Sequence, residues 1–260
     1  MTNEQNMHKS ALDLVKYQIK KHFLGKLGFL SFVGTRPWGI AQYNVDYDYR
    51  GIYISKEDNT YQAFVSQIYI NNYAKDITLI SLERFTRDIL ESNIHAFIFI
   101  NSPIIYASKE FLELKKWINT HFSKKVYRSC QTKTSHTGRK DYLYDFFFIG
   151  TGIAILEQKK VIPNLVEVNK KCLRILAINK IIEEEKAGLP FESKSEEMCK
   201  KILLQMKNRL ERANRKSRLP ETINSDKFSK LKVIKKVAYK YWTQEKFILR
   251  HQKEKEKYKT

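Results

Sequence analysis

At 260 residues, 42% of them hydrophobic, the chain is long enough for one large domain or two modest ones with real cores. Its formal net charge of +20 exceeds what solubility requires and favours a polyanionic partner. Nucleic acid is preferred to anionic membrane, because the basic residues spread over both halves instead of forming one amphipathic anchor. A polar N-terminus without an apolar signal core, and the lack of a run of about 20 apolar residues, set an intracellular, cytoplasmic protein as the expectation. Cys130, Cys172 and Cys199 have neither disulfide nor zinc-ligand spacing, so they are read as reduced and structural.

In chain order, Leu12, Val15, Ile19 and Phe23 recur at helical spacing, so a helix is expected over Ser10 to Phe23, with Ser10 and Asp13 as its capping pair. Phe29 to Val33 reads as a buried strand, and a second strand carries Asp46 and Asp48 through to Ile54. An edge hairpin is expected between Lys56 and Ala74. A short strand at Asp76 to Ile80 passes into a helix ending near Ser92 and Asn93. His95 to Tyr106 is helix or strand, limited by Pro103, and Lys109 to Phe122 is an amphipathic helix. The polar, basic stretch Ser123 to Lys140 lacks hydrophobic periodicity and reads as a connection. Beyond it come helices over Tyr142 to Leu156, Val166 to Ala187, Ser195 to Asn214 and Asp226 to about Lys253. The fold class expected is α+β: strands and helices over 1–122, the connection at 123–140, and a helical, basic region over 141–260.

The chemistry concentrates in Val33 to Ile54. Asp46 and Asp48, two residues apart on a strand, point to one face and repel unless a divalent cation such as Mg²⁺ or Mn²⁺ stands between them. Magnesium takes few protein carboxylates and completes its shell with substrate phosphates and water, so such a pair with a third carboxylate nearby suits phosphoryl or nucleotidyl transfer better than metal storage. The plain alternative is a solvent-facing strand end with two ordinary aspartates. The preceding Gly34-Thr35-Arg36 turn raises the functional reading, since backbone amides, a hydroxyl and a guanidinium suit the triphosphate of an NTP.

The string G-T-R-P-W-G, followed after four residues by N-V-D-Y-D-Y-R-G-I-Y, resembles the G-S-R-x-W-G and S-D-x-D-x-R-G-x-Y signature of a nucleotidyltransferase family in the DNA polymerase β superfamily, some members of which are linked to RNA repair. The resemblance continues through Asp76-Ile77, Ser92-Asn93, Ser102-Pro103 and Tyr106. It then reaches Lys140-Asp141-Tyr142-Leu143-Tyr144, similar to the family's K-K-Y-x-Y helix start, and Leu219-Pro220. It implies a nucleotidyltransferase-like mixed sheet, metal ions held by Asp46 and Asp48, and Asp76 as third carboxylate, ligand and base. It also implies nucleotide contacts from Gly34, Thr35, Arg36, Arg50, Lys140 and Tyr144. Thr35 and Asn44 replace the family's serines. Ile98 stands where the family carries glutamate, and Phe147 where it carries arginine, which implies altered substrate handling or a weakened enzyme.

No histidine pair has metal-ligand spacing, and His95 and His136 are read as structural. Basic runs supply the second signal. Lys133 and Arg139 lie in the connection, Lys207, Arg212 and Arg215 lie on the helix near Arg209, and Lys236 and Lys240 are interleaved with aromatics. Such residues neutralise phosphates while aromatics stack on unpaired bases. For any one helix, a solvated lysine face over a core is the competing reading. The function expected is transfer of a nucleoside monophosphate from an NTP to an RNA hydroxyl, tRNA included. The alternative is an inactive or weakened protein of the same fold that binds nucleic acid or a protein partner, and transfer to a protein hydroxyl is a third reading.

Overall fold

The computed structural model describes residues 2–21, 25–41, 46–54, 67–72, 75–130 and 136–223. Five strands, β1 (Lys26–Val33), β2 (Tyr47–Ile54), β3 (Gln67–Asn72), β4 (Lys75–Ser81) and β5 (Ile104–Ala107), form one sheet in the order β3-β4-β2-β1-β5. Only β2 and β4 run parallel; the other pairs are antiparallel. The sheet is therefore mixed, as expected, although the hairpin joins β3 to β4 and residues 55–66 lie outside the described structure.

Period-two alternation divides the sheet into two apolar faces. On one face α1 (Asn3–Lys21) lays Ala11, Val15 and Ile19 on Leu30, Phe32, Tyr49, Tyr53 and Leu79. The helix begins seven residues before the expected cap: Ser10 lies inside it and accepts a hydrogen bond from Lys75 Nζ at 2.6 Å. On the other face, Phe29, Ile52 and Ile80 meet α2 (Leu82–Leu90), α3 (Ile94–Asn101) and α4 (Lys109–Ile118). Side chains of Ser81, Asn93 and Ser108 cap these three helices by accepting from backbone amides, which fixes where each begins. His95 to Tyr106 resolves into α3 followed by β5, with Pro103 in the break.

The second core cluster continues without interruption into the later helices. After a single turn, α5 (Val126–Ser129), the long α6 (Arg139–Gln158) is buried on nearly every side, including Phe146, Phe147 and Ile149 to Leu156. It is covered by α7 (Leu165–Val168), a π-helical turn (Asn169–Leu173), α8 (Leu176–Lys186) and α9 (Ser193–Lys216). The helix expected over Val166 to Ala187 is thus broken in two. Arg174 takes a left-handed φ of 60°, and the Asn169 side chain bridges the break, accepting from Ile175 N and donating to Ile175 O. The helix expected over Asp226 to Lys253 lies outside the described residues. Cys130, Cys172 and Cys199 are buried free thiols, and burial pushes Cys130 up to about 12.

Arg139 corrects a sequence expectation. It does not present its charge to nucleic acid: it is 4% exposed, donates to Leu189 O and Pro190 O at 2.9 and 2.8 Å, and faces Glu184 and Glu185 at 3.4 and 3.7 Å. It thereby ties the start of α6 to the end of α8. Truncation removes the guanidinium from beside two largely buried carboxylates and takes the donor from two carbonyls, so Arg139→Ala is expected to lose about 3–5 kcal/mol in urea unfolding. A loss below about 1 kcal/mol, typical of an exposed pair, would rule this role out.

Candidate active site

Residues 48 and 50 of β2 face away from α1, and their neighbours on β4 do the same. The parallel register sets Asp48 directly beside Asp76 and Arg50 beside Thr78. Two carboxylates separated by 27 residues of chain thus become neighbours across one strand pair. Asp48 is partly buried, and burial together with the charges of Asp76 and Asp46 pushes its carboxyl up to about 6, against the pull of Lys140. Asp46 lies exposed just ahead of β2. Among the described residues, no group of three or more His, Cys, Asp or Glu side chains is drawn together closely enough to enclose a metal ion.

The Gly34 turn abuts this pair. Gly34 has φ +85°, and a Cβ built on it would overlap the Asp48 carboxylate. The turn is closed by Trp38 N donating to Gly34 O at 3.3 Å and Ile40 N donating to Thr35 O at 3.0 Å. Its next two residues do not join the cleft. Thr35 is buried and does not line the cleft, and Arg36 stacks 4.4 Å over Tyr47. Tyr47 and Asp48 point to opposite faces of β2, so the Arg36 guanidinium belongs to the α1 side; both phosphate-holding expectations are corrected.

The first two turns of α6 make the opposite wall of an open cleft of about 680 Å³. Asp141, Tyr144, Asp145 and Phe148 fall at i, i+3, i+4 and i+7, one face of a helix, and all four line it. Lys140 is exposed, near enough to Asp48 to draw its carboxyl down, with its ammonium 6.0 Å over the Tyr144 ring. Burial and the charges of Asp48 and Asp141 push the Tyr144 phenol up to about 12. The structure thus brings together Gly34, Asp48, Asp76, Arg50 and Tyr144, with Lys140 at the rim. Of the expected nucleic-acid contacts, Lys207 and Arg212 are exposed on α9, whereas Arg215 pairs with Glu211 at 3.0 Å. Lys133, Lys236 and Lys240 lie outside the described residues.

Two histidines read as structural line the same cleft. His136 is hydrogen-bonded through Nε2 to Asp145 Oδ2 at 2.6 Å and stacked on Tyr142. His95 is open to water in the cleft but enclosed by its walls, which together with Arg50 lower it to about 4, leaving the ring neutral. The Asp141–Asp145 pair at helical spacing was a legible signal for this wall. Nothing in the local sequence marked the histidines, because their partners come from α6. Ile98 and Phe147 are both buried in the core and neither lines the cleft, although the Phe147 ring packs 5.1 Å from that of Trp38, which does.

Carboxylates paired at the starts of two parallel strands beside a tight glycine turn are the arrangement of a nucleotidyltransferase. The chain belongs to the RNA repair pathway DNA polymerase beta family, which it matches over residues 7–234. A nucleotidyltransferase-like protein from Exiguobacterium sibiricum, known from a crystal structure, is similar over 79% of this chain and 74% of its own, at 12% identity and a TM-score of 0.32. No curated protein matches the chain in sequence. Among the described residues, no helix is long and apolar enough to cross a membrane.

Proposed function

We propose that the protein transfers a nucleoside monophosphate from an NTP to a hydroxyl of an RNA, with Asp48 and Asp76 as the central pair. The observation that carries this reading is their side-by-side register next to the Gly34 turn. The donor set fits a divalent cation. Two neighbouring carboxylates, one destabilised by burial and by its like-charged neighbours, offer hard oxygens, and magnesium needs only one or two of these from the protein. Asp46 is close enough to add its charge. When bound, the ion would supply charge stabilisation at the α-phosphate and orient it for displacement.

The chain's own residues do the rest. Gly34 lets the backbone approach the triphosphate, Lys140 and Tyr144 close over it from α6, and Asp76, exposed at the start of β4, accepts the proton of the attacking hydroxyl. Basic residues lead outward from this point. Burial raises the Asp145 carboxyl, and His136 and then Lys207 of α9 act against that rise, so Lys207, exposed on α9, carries positive charge toward this wall of the cleft. That edge suits the backbone of a polynucleotide better than a neutral protein surface.

Incubation with each α-labelled NTP, Mg²⁺ and total cellular RNA or protein tests the reading. Label is expected in RNA, and chelation of the metal is expected to remove it. Label confined to protein would overturn the acceptor, and no label in either fraction would overturn the activity.

A further inference from the structure

Strand β2 orders the cleft along one line. Asp48 pairs with Val33, the residue before the Gly34 turn, and Arg50, on the same face one pleat further in, pairs with Ser31 and Thr78. The order along the face is therefore the Gly34 turn, the Asp48–Asp76 pair, then Arg50, about 7 Å beyond Asp48 along the strand. In-line displacement assigns the two ends. With the triphosphate tail at the turn and the α-phosphate at the carboxylates, the attacking hydroxyl comes from the side opposite the departing pyrophosphate, which is the Arg50 end.

That end is suited to an anion. Arg50 lines the cleft with its guanidinium 5.8 Å over the Phe99 ring. Asp88 of α2 acts on it through space, without a hydrogen bond between them, and the same carboxylate also serves Arg84 and Arg87. Arg50 therefore shares its nearest carboxylate with two other guanidiniums instead of holding it in a one-to-one pair. Neutral His95 and the Phe148 ring, 4.4 Å apart, offer a hydrogen-bonding group and an aromatic surface at the same end.

We propose that Arg50 binds the phosphate linking the acceptor's terminal nucleotide to its neighbour, so that the acceptor is a polynucleotide strand presenting its end to Asp76. This deepens the transfer reading above and rests on it. One pleat of strand is comparable to the reach of one extended nucleotide, which sets a hydroxyl at the carboxylates and its phosphate at Arg50. A protein acceptor brings a hydroxyl with no phosphate at that distance and leaves Arg50 without a ligand contact.

The test is fluorescence-anisotropy binding of a short single-stranded RNA, without NTP, to the unmodified protein, Arg50→Gln and Arg50→Lys. Two strands are compared, one natural and one with a neutral methylphosphonate as its last internucleotide linkage. The unmodified protein is expected to lose roughly tenfold to a hundredfold in affinity for the neutral linkage, the range of one charge-assisted contact. Arg50→Gln is expected to bind both strands with that weaker affinity, and Arg50→Lys to recover part of the difference. Indifference of the unmodified protein to the linkage overturns the proposal even if the variants fail to fold; so does discrimination retained by Arg50→Gln. A strand bound in this linkage-dependent way yet never labelled would remove the transfer reading and leave the phosphate contact standing. A strand labelled normally but bound without regard to the linkage would remove the phosphate contact alone.

Discussion

Asp48→Asn is expected to abolish nucleotidyl transfer and, at pH 7, to raise the melting temperature. The first effect follows from the proposed transfer: asparagine keeps the shape but would withdraw negative charge from a cation held there, a loss of several kcal/mol and so roughly a thousandfold or more in rate. The second follows from linkage. The Asp48 carboxyl is raised to about 6 in the folded chain, against about 3.9 when unfolded. Between these values the folded state holds more protons than the unfolded state, so stability declines as pH rises through the window and the penalty is complete above it.

Fully buried, a gap of that size would amount to about 3 kcal/mol, and solvent screening of this half-open carboxyl reduces it to about 1–2 kcal/mol. The neutral amide escapes the penalty. Calorimetric scans should show Asp48→Asn melting on the order of 2–8 °C higher at pH 7, with the difference gone near pH 4. Added Mg²⁺ should raise the melting point of the unmodified protein more than that of the variant. Full activity in the variant, or a lower melting point at pH 7, would sink the assignment of Asp48.

The two strands around the motif were legible because alternation and a glycine turn are local signals. The neighbour relation of Asp48 and Asp76 was not, since it arises from a parallel pairing with β3 lying between the two in sequence and outside them in the sheet. The Asp76 assignment came from family resemblance, and only the register supplied its physical reason. The same limit explains Arg139. In sequence it is one cation in a basic run, and only the return of α8 brings Glu184 and Glu185 to it. At Arg174 local propensity was overridden from a distance of five residues. No glycine or proline marks that break, and Asn169 holds it by replacing helical hydrogen bonds with side-chain ones. Arg36 shows how a motif letter misleads, because the turn rotates it to the far face of the strand that carries the aspartates.

Gly34→Ala is expected to damage stability and chemistry together, for two separable reasons. At φ +85° any side chain is strained, a penalty of about 1 kcal/mol. The added methyl would also occupy the space of the Asp48 carboxylate, so β2 or the turn must shift. We expect a total destabilisation of about 2–4 kcal/mol and near-complete loss of transfer, because the displaced group is the one to which the proposed function gives the α-phosphate. The two contributions separate in a double-mutant cycle. With Asp48→Ala already in place the clash is gone, and the same Gly34 substitution should then lose only the backbone part, about 1 kcal/mol. Gly138→Ala is the control, since Gly138 has an extended φ of −168° and no atom within 4 Å of the added methyl. Equal losses for Gly34→Ala in both backgrounds would show that the turn is strained for its own sake. A loss that shrinks in the Asp48→Ala background would show that the glycine is there to let the carboxylate in.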